Sequence, residues 1–201
     1  MTRALKPALF LACLLPLAQW LWLGWQQQLG ANPIEYITHG TGDWTLRLLL
    51  LTLLMTPLKR GFGWSWPLRV RRMLGLFAFF YASLHLSTYL WLDQFFDWWE
   101  IGLDILERPF ITVGMLAYVL LLPLALTSTH AMMKRMGRSW RKLHRLVYVV
   151  ATLGVLHFWW LVKADVREPL LYAALLGILF LARLYWARLA ARGGAASVRG
   201  T

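Results

Sequence analysis

The sequence predicts an all-α fold: a polytopic membrane bundle of six transmembrane helices with both termini cytoplasmic. Three observations predict it. Of 201 residues, 59% are hydrophobic and only 15% charged, which is outside the soluble globular range. Apolar runs long enough to cross a bilayer recur along the chain. Basic residues collect at alternate ends of those runs and are scarce at the others.

The spans fall at about 8–25, 44–58, 73–92, 109–127, 146–162 and 169–187. The first ends among Trp20, Trp22 and Trp25, side chains suited to a membrane interface. Its apolar run continues well past Cys13, so it reads as a retained span rather than a cleaved signal peptide. Cys13 is the only cysteine, which excludes an intramolecular disulfide. Loop 26–43 carries Gly30, Pro33, Gly40 and Gly42 and reads as turns, with Asp43 as the N-cap of the second span. That span is short, ends at Pro57, and is expected to extend into its flanks. After the third span, DQFFDWWEIGLDILERP is aromatic and acidic, which predicts a short helix lying on the outer surface. Pro109 suits the first turn of the fourth span, and Pro169 opens the sixth. Residues 1–201 therefore read as a single transmembrane domain with no room for a soluble one. No internal repeat with a clear period is visible. No G-x-G-x-x-G or P-loop occurs.

With the N-terminus inside, 17 of the 21 basic residues fall on the cytoplasmic side. They include Lys59, Arg60, Arg69, Arg71 and Arg72, then Lys134 to Arg145, then Arg183, Arg188, Arg192 and Arg199. Only Arg108, Lys163 and Arg167 lie outside, and Arg47 sits in the second span. All nine acids fall on the outer side. The sequence pI near 10.6 is therefore membrane topology facing the anionic lipid bilayer, and no nucleic-acid partner is expected.

His85 and His157 lie deep in apolar runs, where an imidazole is expensive and by default functional. Both sit toward the outer end of spans that run in the same direction. That placement fits one haem held between two axial imidazoles, an arrangement suited to electron transfer because no coordination site stays open. His144 precedes His157 by thirteen residues, about 19–20 Å of helix. It either ligates a second, inner haem or is an interfacial histidine among Arg141, Lys142 and Arg145. Arg71 and Arg72 stand at the inner level of the third span and suit haem propionates or another anionic cofactor. The metal-ligand candidates are thus His85, His157 and His144, with Arg71 and Arg72 as further cofactor contacts. His39 and His130 read as solvated. No catalytic residue is assigned.

The runs RRMLGLFAFFYASLHLSTY, RPFITVGMLAYVLLLPLALTS and WRKLHRLVYVVATLGVLHFWW resemble the haem-binding membrane subunit of the bacterial periplasmic methionine-sulfoxide reductase system, within the ferric-reductase-like transmembrane superfamily. The resemblance implies a six-helix protein of the bacterial inner membrane carrying one or two haem b groups. Flavin mononucleotide (FMN) is also attributed to the family. Its role there is to pass electrons from the quinone pool, as membrane quinol, to a periplasmic molybdopterin-containing reductase subunit that repairs oxidised methionines. The haem-linked histidines carry over onto His85, His144 and His157. Arg71 stands where two-haem relatives place a fourth histidine. The chain has no dehydrogenase domain, so it is an electron-transfer subunit without the terminal catalytic centre. The acidic outer face, with Asp97, Glu100 and Asp104, is then expected to dock a basic patch on the reductase; simple solvation is the other reading. The alternative function is a stand-alone transmembrane ferric reductase or oxidase fed by a separate cytoplasmic flavin reductase. A haem-free transporter is disfavoured, because the spans hold no chain of paired acids and histidines.

Overall fold

The structure, a computed structural model, describes residues 2–162 and 164–198; Lys163 and Arg199 lie outside the described residues. Helix α1 covers Thr2–Trp25, α2 Pro33–Phe62 and α3 Trp66–Ser87, which continues into a π-helical turn, Thr88–Asp93. Helix α4 is Trp98–Glu107, α5 Pro109–Leu126, α6 His130–Met136 and α7 Arg138–Leu143. Helices α8, Leu146–Leu161, and α9, Arg167–Val198, complete the chain. The helices Ala4–Trp25, Trp66–Asp93, Pro109–Leu126 and Arg167–Ala190 are each long and apolar enough to cross a membrane. Helix α8 is shorter, at 16 residues, and α2 carries Asp43, Arg47, Lys59 and Arg60.

Helix α2 extends the second span into its N-terminal flank, starting at Pro33. Asn32 caps α2, its side chain accepting from the Glu35 N–H at 3.2 Å, and Pro33 follows in the first turn. Asp43 is therefore not a cap; it lies inside α2 and pairs with Arg47 one turn on at 3.2 Å. Gly40 and Gly42 are helical rather than turn residues. Each gives room to a ring: a Cβ on Gly40 would sit 2.7 Å from the Trp20 indole, and one on Gly42 would sit 3.2 Å from His85. At its far end α2 stops at Gly63, whose φ of 70° is the left-handed conformation that ends helices. Pro57 has no N–H to give the Leu53 carbonyl, and Arg183 of α9 fills that vacancy at 2.6 Å.

Helices α2 and α3 form one antiparallel pair, and α5 and α8 a second. Helix α9 packs on α2 and α8, and α1 on α3. One apolar cluster joins α1, α2 and α3 through Cys13, Trp20, Leu48, Leu74, Phe77 and Tyr81. Fully buried Tyr81 donates to the Cys13 carbonyl at 2.6 Å. The other cluster joins α2, α8 and α9 through Leu46, Leu50, Ala151, Val155, Tyr172 and Leu176. Outward-facing Phe10, Leu11, Leu15, Leu116, Leu171 and Ile178 give the bundle an apolar exterior.

The outer surface helix expected between the third and fourth spans is α4, with Trp98, Trp99 and Leu106 exposed. Its acids are not all equivalent. Asp97 is the N-cap, accepting from the Trp99 and Glu100 N–H groups. Asp104 is buried and accepts from Tyr89 Oη at 3.0 Å and Gln94 Nε2 at 2.9 Å, while pairing with Arg108 at 3.2 Å. Asp97 and Glu100 are exposed, and of the three only Asp104 is buried. Asp104→Ala leaves two donors without their acceptor, at about 1–3 kcal/mol each. Thermal unfolding in detergent should show a clear fall in Tm for Asp104→Ala and no more than about 0.5 kcal/mol of change for Glu100→Lys.

Candidate functional site

A cavity of about 420 Å³ lies between the two helix pairs. Leu46, Leu49, Leu121, Val150 and Phe158 wall it, and His85 and His157 face each other across it. Their ring centres are 6.0 Å apart and their planes cross at 80°. His85 is on α3, one turn before the π-helical stretch that carries Tyr89 and Asp93 to the cavity edge. His157 is on α8.

Hydrogen bonding sets the tautomer of both rings. His85 Nδ1 lies 2.8 Å from the Thr38 carbonyl, and His157 Nδ1 lies 2.6 Å from the Phe110 carbonyl. A carbonyl only accepts, so in both rings Nδ1 carries the hydrogen and Nε2 keeps its lone pair. Metal-binding histidines are oriented in this way, with the outer nitrogen donating to a backbone carbonyl.

The backbone makes room for both rings by the same device. On α2 Gly42 follows Thr38 by one turn, and on α5 Gly114 follows Phe110 by one turn. A Cβ on Gly114 would lie 2.7 Å from His157 Nδ1 and 2.8 Å from its Cε1. In both pairs the carbonyl residue precedes its histidine by 47 positions. The offset that carries His85 onto His157 also carries Gly42 onto Gly114, Leu48–Leu50 onto Leu120–Leu122, Arg69 onto Arg141 and Leu84 onto Leu156. The same offset thus relates the two histidine–glycine sets, although no simple period is visible.

Haem fits these residues. Two imidazoles bonded to one metal at about 2.0–2.1 Å carry their ring centres about 6 Å apart, which is the separation here. No cluster of three or more His, Cys, Asp or Glu side chains able to hold a bare metal ion exists among the described residues. Two imidazoles alone suit a metal whose other ligands come from a macrocycle. The cavity is apolar, with an orphaned Thr38 hydroxyl at its wall. Its outer rim holds His39, Arg108, Asp43, Asp93 and Glu168.

His144 is separate from this pair. It lies in the turn between α7 and α8, not on the α8 helix, so helical phase does not relate it to His157. Its ring stacks on Trp140 at 3.9 Å, and Nε2 is 3.0 Å from Thr127 Oγ1. That hydroxyl already donates to the Pro123 carbonyl at 2.6 Å, so His144 Nε2 is the donor. The tautomer is the reverse of that in His85 and His157. Burial, then the charge of Arg71, holds the His144 pKa below the ordinary histidine value. Arg71 Nη1 donates to Thr56 at 3.3 Å, and Arg72 is exposed. Neither arginine lines the His85–His157 cavity. The same offset carries Arg72 onto His144.

Sequence reasoning misses Thr38, Gly42, Phe110 and Gly114. The available signal is a glycine inside each apolar helix, which marks a close approach. The rim cation Arg108 is also missed, hidden as a simple outer-loop charge.

The family model described as ferric reductase like transmembrane component matches residues 41–155, which include His85 and His144. Several bacterial relatives carry the name protein-methionine-sulfoxide reductase heme-binding subunit MsrQ. That of Herminiimonas arsenicoxydans is 54% identical over 186 residues, 91% of this chain and 85% of its own length. Those of Azospira oryzae and Rhodospirillum rubrum are 56% and 55% identical, each over 88% of this chain, and over 76% and 86% of their own lengths. No solved structure matches the chain. By the matched region and by relatives of this identity and coverage, the chain is a multi-pass membrane protein that belongs to the ferric-reductase-like transmembrane family, alongside those heme-binding subunits.

Proposed function

We propose that this protein is the haem-binding membrane subunit of a protein-methionine-sulfoxide reductase system. In this reading it takes electrons from membrane quinol and passes them to a periplasmic molybdopterin-containing reductase, which repairs oxidised methionines. The observation that carries the reading is the opposed imidazole pair, His85 and His157, with both Nδ1 atoms committed to carbonyls. Haem b, when bound, supplies a one-electron iron couple. His85 and His157 would hold it, and their Nδ1–H bonds fix ring orientation and raise ligand basicity. Leu46, Leu49, Leu121 and Val150 keep water from the centre. Arg108 and His39, at the rim, offer donors to propionates. With His85 and His157 both committed to the iron, the site would favour electron passage over direct reduction of oxygen or ferric ion, the alternative function.

In this reading all six long helices cross the bacterial inner membrane, and residues 1–201 act as one domain. The basic clusters at one end of the bundle support cytoplasmic termini. One haem b at the outer level is the reading the residues support. His144, Arg71 and Arg72 mark the inner level, where the resemblance would put a second haem. FMN rests on that resemblance alone.

The test is reconstitution. Purified protein in liposomes should show b-type haem bands that quinol reduces. Added periplasmic reductase and methionine sulfoxide should reoxidise them. Folded but colourless protein would sink the proposal. A pyridine-haemochrome assay should give about one haem per chain, unchanged by His144→Ala; a fall from two to one in that variant would assign His144 to an inner haem.

A further inference from the structure

The opposite end of the bundle holds a second feature, a groove of about 770 Å³ between α2, α8 and α9. Its walls are apolar and aromatic, formed by Pro57, Tyr148, Phe180, Leu184 and Trp186. Its cations are Arg60, Arg145 and Arg183. Arg183 is the innermost. It donates through Nη1 to Tyr148 Oη and through Nη2 to the Leu53 carbonyl, both at 2.6 Å, and lies 5.0 Å over the Tyr148 ring. Its Nε is buried and has no partner among the described residues.

No carboxylate answers these charges. Among the described residues the ion pairs involve Asp43, Asp104 and Asp165, and none reaches Arg60, Arg145 or Arg183. The reason lies in the sequence, where no acid occurs between Asp43 and Asp93, between Glu107 and Asp165, or after Glu168. Glu168 shares α9 with Arg183 but lies about 22 Å away along the helix axis. A half-buried guanidinium beside two others, without a counter-charge, is costly. No described carboxylate of the chain supplies a balancing charge.

We propose that this groove binds the phosphate of an anionic phospholipid, with an acyl chain lying against Phe180, Leu184 and Trp186. Guanidinium groups match phosphate oxygens in geometry as well as charge. The groove sits at the end of the bundle where the basic clusters gather, and basic pockets between transmembrane helices on that side recognise anionic headgroups. An anionic amphiphile satisfies the cations and the apolar wall together, whereas a small soluble anion leaves the wall uncovered. The inference is independent of the haem reading.

The test compares wild type with the double variant Arg60→Gln, Arg145→Gln. Arg183 is kept, because it occupies the Leu53 carbonyl. Each protein is extracted from mixed vesicles of phosphatidylglycerol and phosphatidylcholine and examined by native mass spectrometry. Wild type should retain phosphatidylglycerol in preference to phosphatidylcholine, and the double variant about tenfold less of it. The pair Arg60→Lys, Arg145→Lys keeps the charge and should retain most of the lipid, which covers the case in which the glutamine variant fails to fold. Equal retention of both lipids, or equal retention by wild type and the glutamine variant, would overturn the proposal. So would displacement of the lipid by inorganic phosphate or FMN, which would assign the groove to a soluble phosphate.

Discussion

Purified His157→Ala protein should lack the Soret band of the wild type while keeping its helical circular dichroism, and His85→Ala should behave in the same way. The fold brings these two rings to 6.0 Å between centres across the cavity. Removing one leaves a single imidazole in an apolar chamber. Losing even an outer-shell partner of a metal ligand typically costs about 10- to 100-fold in affinity, and losing the ligand itself costs more. The expected result is haem content below about a tenth of wild type. Two variants that keep full haem would remove the basis of the proposed function. His144→Ala serves as the contrast, because its Nε2 is spent on Thr127.

Gly114→Ala should have nearly as large an effect, although alanine is the better helix former by about 1 kcal/mol. The new methyl would lie 2.7 Å from His157 Nδ1 and 2.8 Å from Cε1, closer than real Cβ contacts allow. The ring must swing away, which breaks its bond to the Phe110 carbonyl and misaims Nε2. Gly42→Ala is the graded comparison, since its methyl would meet His85 at 3.2 Å and 3.3 Å. A shift of a few tenths of an ångström accommodates that. Haem titration should therefore give an affinity loss of about 10- to 100-fold for Gly114→Ala and a much smaller one for Gly42→Ala. Equal affinities for both variants and wild type would mean that the rings do not sit where their carbonyl bonds hold them.

The long helices are legible in the sequence because an apolar run of membrane length has few alternatives once every backbone group must be paired. Pro109, placed where a helix can use it, marks the start of α5. The start of α2 is misread because Gly40, Gly42 and Asp43 are turn-formers by composition. Their role is set by Trp20 and His85, which come from other helices. The surface helix α4 is legible from its pattern, but the role of Asp104 is not. Whether an acid near an interface is solvated or buried depends on Tyr89 and Gln94 reaching it across a π-helical turn.

His85 and His157 stand out in the sequence alone, because imidazole in hydrocarbon demands a reason, and their similar depth follows from counting residues in from the basic ends. The sequence by itself thus determines the helical class, the distribution of charge and the identity of the outer imidazole pair. The tertiary structure decides which nitrogen of each ring is free, that Gly42 and Gly114 make room for them, and that His144 turns instead to Thr127 and Trp140. The physical reason is that apolarity and charge are properties a residue carries with it. A tautomer, a close approach and an unanswered arginine are relations between helices, and they exist only once α2 lies against α3 and α5 against α8.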